Sequence, residues 1–148
     1  LGSMRQIPIT ELIEAPGILR LDQREFIRDI RIPALPADAQ WRFRKIGRRE
    51  ALAISRLTLT LVLRLAEDLS ISDFRAAVGA VFPRPMRFPV VEGQFIGRIL
   101  TEDTCCEMAE AISAKIPEIT GMRASTRYKQ PVTKLVCKRL LMEMEVFS

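Results

Sequence analysis

Alternating apolar and polar positions dominate the first half of the chain. The clearest case spans residues 54–66, where five leucines share one face of an extended strand and mostly arginine and threonine share the other. The same period of two predicts strands over residues 24–33, 41–46 and 71–82, the first and last of which run into prolines. These segments predict an antiparallel sheet of about four strands.

From residue 86 onward the spacing becomes helical, and about three helices are expected. In residues 101–116 a stripe that starts at Cys105 predicts a buried helix face, with Thr101 as the N-cap. Residues 125–144 give another helical stripe, for which Ser125 is the candidate cap. Its members are Tyr128, Val132, Leu135, Val136, Leu140 and Met144. Pro131 is expected to mark the first turn of this last helix or to kink it.

Strands followed by helices predict an α+β fold, with an antiparallel sheet of about four strands and about three helices packed on one face. That architecture leaves the second face of the sheet open. The residues expected there on the leucine-rich strand are Arg56, Thr58, Thr60 and Arg64. This face is expected to be solvated or to be covered by another domain.

The composition narrows the chemistry that the chain can perform. Its 148 residues fit one domain, expected over residues 4–148, with residues 1–3 as a cloning scar. The chain has no histidine, which excludes Ser–His and Cys–His nucleophile pairs and the common zinc ligand sets. Three cysteines without a C-x-x-C pair favour reduced thiols and a cytoplasmic location. No apolar run reaches the length of a membrane span.

The most basic stretch, "RFRKIGRREALAIS" at residues 42–55, allows several interpretations. Binding to nucleic acid is disfavoured because Trp41 and Phe43 point away from the arginines on a strand and the chain has few other aromatic residues suited to stacking on bases. A solvated strand end is the plainer interpretation, with the arginines paired to one of four acidic residues, Glu11, Glu14, Glu25 or Glu50. A phosphate-binding loop is excluded because Gly47 is isolated from other glycines.

Three further groups of residues have side chains that could form a site. The crowded helix start from Ser125 to Lys129 is a candidate anion site, although capping alone explains the serine. Glu107 and Glu110 are expected on the polar side of their helix, which argues against a metal pair. Cys106 is expected to be exposed.

Four motifs in order carry a family resemblance: "LDQREFIRDIRIP", "FRKIGRREALAIS", "AAVGAVFPRPMRFPVVEGQFIGR" and "MRASTRYKQPVTKLVCKRLL". In this order and spacing they resemble the C-terminal domain of the flavoprotein (medium) subunit of molybdenum hydroxylases, of the carbon monoxide dehydrogenase and xanthine dehydrogenase type. The positions that carry the resemblance are Glu25, Ile32, Pro33, Lys45, Gly47, Arg49, Ala51, Ile54, Gly79, Pro83, Pro85, Arg87, Glu92, Gly97, Arg123, Ser125 and Tyr128.

The resemblance implies a domain that covers FAD in an oxidoreductase and has no turnover of its own. Most of the FAD is then held by an N-terminal domain that has no counterpart in this chain. In such enzymes electrons pass from a molybdopterin large subunit, through two [2Fe-2S] clusters on a small subunit, to FAD. The flavin contacts that the resemblance implies here are Lys45 and Ile27.

Two features depart from the family pattern. Gly121 replaces the acidic residue that precedes the R-x-S motif in relatives, and Pro131 interrupts the last helix. The alternative to a flavin-covering domain is a stand-alone interaction module of the same fold. No nucleic-acid partner, metal site or catalytic residue is expected in either case.

Overall fold

The structure is a computed structural model that describes residues 3–47 and 54–144. These residues fall into two compact units, Leu1–Leu35 and Pro36–Ser148. The single domain expected for residues 4–148 stays a prediction. Arg49 and Ala51, two of the positions that carry the family resemblance, lie outside the described residues.

Unit 1, Leu1–Leu35, contains one short helix and a small hairpin. Helix α1 (Ile9–Leu12) leads into strand β1 (Ile13–Ala15), which pairs antiparallel with β2 (Ile18–Leu19). Gly17 makes the turn with a φ of +77°, a conformation that glycine adopts without steric cost.

The strand expected over residues 24–33 does not form. Residues 26–36 belong to neither helix nor strand, and Phe26 and Ile32 are 80% and 85% exposed. The alternation in the sequence is real, but the segment pairs with no other strand among the described residues. A strand needs a partner to satisfy its backbone groups, so its side-chain pattern alone was insufficient to predict it.

Unit 2, Pro36–Ser148, contains an antiparallel sheet of four strands in chain order. They are β3 (Gln40–Gly47), β4 (Ser55–Leu65), β5 (Ile71–Gly79) and β6 (Met86–Arg87). The predicted number of strands is confirmed, but the fourth is the short β6 instead of residues 24–33. Strand β5 ends at Gly79, earlier than predicted, and Ala80 follows with a φ of +61°.

Three helices follow β6 in unit 2. They are α2 (Pro89–Gly93), α3 (Glu102–Thr120) and α4 (Ala124–Met142). Thr101 caps α3 as predicted, because its hydroxyl accepts a hydrogen bond of 3.1 Å from the backbone N–H of Thr104. Gly121, with a φ of +68°, follows the last residue of α3.

Helix α4 differs from its prediction in three respects. Ser125 lies inside the helix and the N-cap is Arg123, which makes no side-chain capping bond. The helix continues through Pro131, so this proline lies well beyond the first turn. Leu140 and Met144 of the predicted stripe are buried as expected, but Leu135 is 68% exposed, and Thr126, Thr133, Cys137 and Leu141 complete the buried face.

The core of unit 2 lies between one face of the sheet and the helices. Leu57, Leu59, Leu61 and Leu63 are fully buried or nearly so and form one cluster with Cys105 and other residues of α3 and α4. Their burial removes apolar surface from water, the main force that holds the layers together. The α+β class and the buried position of Cys105 are thus confirmed. Among residues 3–47 and 54–144 no helix is both long and apolar enough to cross a membrane.

Candidate functional site

The open face of the unit 2 sheet carries the side chains that alternate with the core leucines. Strand register pairs Phe43 with Thr60 and Lys45 with Thr58, and cross-strand partners lie on the same face of a sheet. The aromatic residues of β3 are left uncovered on this face, since Trp41 is 58% exposed and Phe43 52% exposed. An exposed patch of large apolar side chains next to polar ones is typical of a surface that contacts a ligand or partner.

A short row of residues crosses this face at the end of β3. Thr58 pairs with Lys45 on one side and with Gly79 on the other. Gly79 has little space above it, because a Cβ at this position would collide with the Thr58 hydroxyl oxygen. No carboxylate within the described ranges forms an ion pair with Lys45. Among the residues that the structure describes, the row therefore presents a lysine without a carboxylate partner, beside a hydroxyl and an aromatic ring.

Ile27, the second predicted flavin contact, lies in unit 1. It is 47% exposed and belongs to the segment without regular structure. Arg28 and Asp29, its neighbours in sequence, form an ion pair with each other at 2.5 Å. The two residues predicted to contact the cofactor therefore belong to different units of the chain.

Arg42 and Arg44 lie on the face of β3 opposite to Lys45, in register with core leucines of β4. Arg42 donates two hydrogen bonds, of 2.7 Å and 3.2 Å, to the backbone carbonyl of Glu143, the C-cap of α4. Arg44 forms an ion pair of 3.4 Å with the Glu143 carboxylate. These cations stabilise the negative end of the helix dipole.

The partner observed for Arg42 and Arg44 is Glu143, which is not among the acidic residues expected, Glu11, Glu14, Glu25 and Glu50. Glu25 binds Arg5 and Glu14 lies 3.7 Å from Arg20, both within unit 1. Glu50 lies outside the described residues. The observed partner, Glu143, stands about a hundred positions further along the chain, where no local sequence signal points to it.

The candidate anion site at the start of α4 has two of its side chains engaged elsewhere. Lys129 donates a hydrogen bond of 2.7 Å to the backbone carbonyl of Ala80, just after β5. The Tyr128 ring lies under the Arg56 guanidinium, whose central carbon is 5.3 Å from the ring centroid. These contacts fasten α4 to the sheet and account for the crowding of polar residues there.

Sequence reasoning missed the role of Glu92, a buried carboxylate that is 3% exposed. It accepts hydrogen bonds from the backbone N–H of Ala76 at 3.0 Å and from the Arg87 guanidinium at 2.5 Å. It therefore joins α2 to β5 and β6, on the edge of the sheet far from β3. Its sequence signals are its place among the positions that carry the family resemblance and its position as an acidic residue within the apolar run "PVVEGQF".

Two glutamates of α3 form ion pairs, and two of the three cysteines are buried. Glu107 pairs with Arg98 at 2.7 Å and Glu110 pairs with Lys134. Burial raises the pKa of the Cys105 thiol to about 11 and that of Cys137 to about 12. Within residues 3–47 and 54–144, no group of three histidine, cysteine or acidic side chains could hold a metal ion.

Comparison with protein families matches residues 41–144 to the carbon monoxide dehydrogenase flavoprotein C-terminal domain. The chain is 25% identical over 141 residues to the glyceraldehyde dehydrogenase medium chain of Sulfolobus acidocaldarius, covering 95% of this chain and 49% of that protein. It is 27% identical over 139 residues to the nicotine 6-hydroxylase medium subunit of Paenarthrobacter nicotinovorans, covering 94% and 48%. The chain thus spans about half the length of these relatives.

Solved structures share the fold. A carbon monoxide dehydrogenase from Hydrogenophaga pseudoflava superposes with a TM-score of 0.78 at 22% identity, covering 93% of this chain and 47% of that one. Quinoline 2-oxidoreductase from Pseudomonas putida 86 gives a TM-score of 0.75 at 19% identity, covering 90% and 46%.

Proposed function

The chain belongs to the carbon monoxide dehydrogenase flavoprotein C-terminal domain family, and from that premise we propose that it is the C-terminal part of the FAD-binding medium subunit of a molybdenum-dependent dehydrogenase. Support comes from relatives that are medium chains or subunits and that align along nearly the whole chain. In this proposal the open face of the sheet covers the flavin held by the other half of the subunit.

One observation carries the proposal: on the open face of β3, Lys45 follows two exposed aromatic side chains, Trp41 and Phe43. These groups fit the ring end of FAD, which is planar and polar at its edges. They do not fit its diphosphate, since the sequence has no glycine-rich phosphate loop. The phosphates would therefore be bound by the other half of the subunit.

FAD, when bound, supplies electron-transfer chemistry. The role proposed for the Lys45 ammonium is to stabilise negative charge that develops at the edge of the flavin, as a fixed cation does best in a site from which water is excluded. Phe43 and Trp41 would provide apolar surface that excludes water at the same place. Ile27 would contribute an aliphatic contact from unit 1.

The proposed partners follow from the kind of enzyme. A large subunit would hold the molybdopterin and a small subunit would hold the [2Fe-2S] clusters, with electrons passing through them to FAD and then to an acceptor. The absence of histidine agrees with a domain that positions a cofactor and leaves proton transfer to other groups. The free thiols agree with a cytoplasmic enzyme.

The test replaces Lys45 in the complete medium subunit. We expect Lys45→Ala to weaken FAD binding or slow flavin reduction by about tenfold, because one charge interaction of roughly 1.4 kcal/mol is lost. Lys45→Arg should retain most of the function. Flavin content, reduction rate and flavin potential are the measurements.

Lys134→Ala is the matched control, since Lys134 pairs with Glu110 and joins the two long helices instead of lying on β3. If Lys45→Ala matches the control in content, rate and potential, the open face is not the flavin site and the proposal fails.

A further inference from the structure

Three arginines on the open face of the unit 2 sheet are already bound to carboxylates. Strand register places Arg64, Arg75 and Arg87 on this face, because their cross-strand partners alternate with the core residues of β4 and β5. Each guanidinium forms a close ion pair. The pairs are Arg64 with Asp38 at 2.8 Å, Arg75 with Asp73 at 2.6 Å and Arg87 with Glu92 at 2.5 Å. The arginines of this face are therefore engaged within the protein.

The polar groups of this face that have no such partner lie next to each other. They are the Lys45 ammonium and the hydroxyls of Thr58 and Thr60, none of which forms a side-chain hydrogen bond or ion pair in the part of the chain that the structure describes. Thr58 is the cross-strand partner of Lys45, and both threonines are half-buried. The face thus has one place where a cation and a hydroxyl can bind the same ligand.

Gly79 distinguishes the Thr58 hydroxyl from that of Thr60. On β5, Gly79 lies opposite Thr58, and Ala77 lies opposite Thr60. The Thr58 hydroxyl oxygen occupies the space that a Cβ on Gly79 would fill. No β5 side chain therefore stands beside it in this row, whereas Thr60 has the Ala77 methyl group as its neighbour. Thr58 is the threonine whose donor is both next to the lysine and uncovered by β5.

We propose that the Thr58 hydroxyl donates a hydrogen bond to the same edge of the flavin as Lys45, and that this bond is stronger to reduced than to oxidised FAD. The inference rests on the proposed function for the identity of the ligand. The ring edge of FAD carries oxygen and nitrogen atoms that accept hydrogen bonds, and reduction increases the negative charge there. A donor held in place by a strand then gains strength as that charge develops. Lys45 supplies charge, and Thr58 supplies a neutral, directional donor.

Two substitutions at position 58 separate the hydroxyl from the shape of the side chain. Thr58→Val removes the hydroxyl and keeps the branch at Cβ, whereas Thr58→Ser keeps the hydroxyl. In the complete medium subunit, Thr58→Val should weaken the binding of reduced FAD about threefold to tenfold more than that of oxidised FAD. For a two-electron couple this lowers the flavin potential by about 15–30 mV. Thr58→Ser should keep the wild-type potential. A redox titration followed by flavin absorbance measures the potential, and FAD titration of the apoprotein measures the affinity.

Thr60→Val is the matched control, since it makes the same change on the same strand and face, one row away from Lys45. Its potential should stay at the wild-type value. Equal shifts in Thr58→Val and Thr60→Val would overturn the inference, and so would a wild-type potential in Thr58→Val or a lowered one in Thr58→Ser. If Thr58→Val does not fold, Thr58→Ala provides the same comparison.

The Lys45→Ala variant distinguishes this inference from the proposed function. An effect of Lys45→Ala without one of Thr58→Val would overturn the role of Thr58 and leave the open face as the flavin site. An effect of neither variant would refute both proposals. An effect of Thr58→Val alone would overturn the inference that the two residues contact the same edge of the flavin.

Discussion

Gly79 leaves room for the hydroxyl of Thr58, its partner across the sheet. A Cβ at position 79 would overlap the Thr58 hydroxyl oxygen, while the next nearest atoms, Thr58 Cβ and Pro85 Cγ, lie at 3.7 Å and 3.9 Å. Gly79→Ala should therefore destabilise unit 2 through one specific collision. The same row contains Lys45, so the substitution also probes the packing beneath the proposed flavin contact.

The size of the effect follows from how the collision can be relieved. Holding the Thr58 side chain about 30° away from its preferred rotamer costs about 0.5–1.5 kcal/mol, and overpacking in a well-packed region costs about 1–3 kcal/mol. Alanine also reduces the entropy of the unfolded chain, which offsets about 0.4–1 kcal/mol. A net loss of about 1–2 kcal/mol is expected, which lowers the melting temperature of a chain of this size by roughly 2–8 °C.

Thermal and urea unfolding of the 148-residue chain, followed by circular dichroism, measures this loss. Gly93→Ala is the matched control, because a Cβ at that helical position meets no atom within 4 Å and its stability should stay equal or rise slightly. In a Thr58→Ala background the hydroxyl is gone, so Gly79→Ala should cost nothing there. A coupling of at least about 1 kcal/mol between positions 58 and 79 is the expected result.

Two outcomes would refute the reasoning. Wild-type stability of Gly79→Ala would mean that the chain relaxes around the Cβ without loss. An equal loss in both the wild-type and the Thr58→Ala backgrounds would mean that the penalty comes from the backbone and not from the Thr58 hydroxyl.

Three further predictions concern ionisable groups. Burial raises the pKa values of Cys105 and Cys137 to about 11 and 12, so a thiol reagent at neutral pH should label the partly exposed Cys106 first. Mass spectrometry of the labelled peptides measures the order of labelling. Faster labelling of either buried thiol would contradict the prediction. Because the unfolded chain loses these protons near the ordinary thiol pKa of 9.0, stability should fall as the pH rises from there toward 12. In unit 1, Arg5 lowers the pKa of Glu25 from 4.5 to about 2, so the stabilisation by this pair should be present at neutral pH and disappear as the pH falls through that range. Carboxyl-carbon NMR should give a titration midpoint near 2 that moves up in Arg5→Ala, and a midpoint near 4.5 in the unchanged protein would contradict the assignment.

The parts of the fold that sequence reasoning predicted correctly are those with local causes. The burial of the alternating leucines of β4 follows from the period of two of a strand with one buried face. The capping role of Thr101 follows from its position just before a helix. The end of β5 was missed because Ala80 adopts a positive φ, for which alanine gives no warning. The stripe of α4 was correct at Leu140 and Met144 but wrong at Leu135, because Leu135 and Cys137 are both apolar and the pattern alone does not decide which of them faces the core.

Predictions failed most clearly where a partner is distant or absent from the described residues. Residues 24–33 were assigned to the sheet because their pattern equals that of a true strand, and periodicity contains no information about which sheet will pair with it. The motif order suggested the family and the flavin role of Lys45, but neither motifs nor periodicity could show that Ile27 and Lys45 lie in separate units. That division depends on long-range packing, which a single sequence does not encode in any local pattern.

The basic stretch that begins at Arg42 shows how charge density in a sequence differs from charge density in space. On a strand, neighbouring side chains point to opposite faces, so Arg42 and Arg44 turn toward the helices while Lys45 turns to the open face. The two arginines bind Glu143 at the end of α4, which leaves them poorly placed to form a phosphate-binding patch with the lysine. The lysine, with no carboxylate in ion-pairing distance within the described ranges, is the cation of β3 that remains available on the uncovered aromatic surface. The three basic residues of β3 therefore have two roles that the pleat separates: Arg42 and Arg44 attach a helix to the sheet, and Lys45 faces the proposed cofactor.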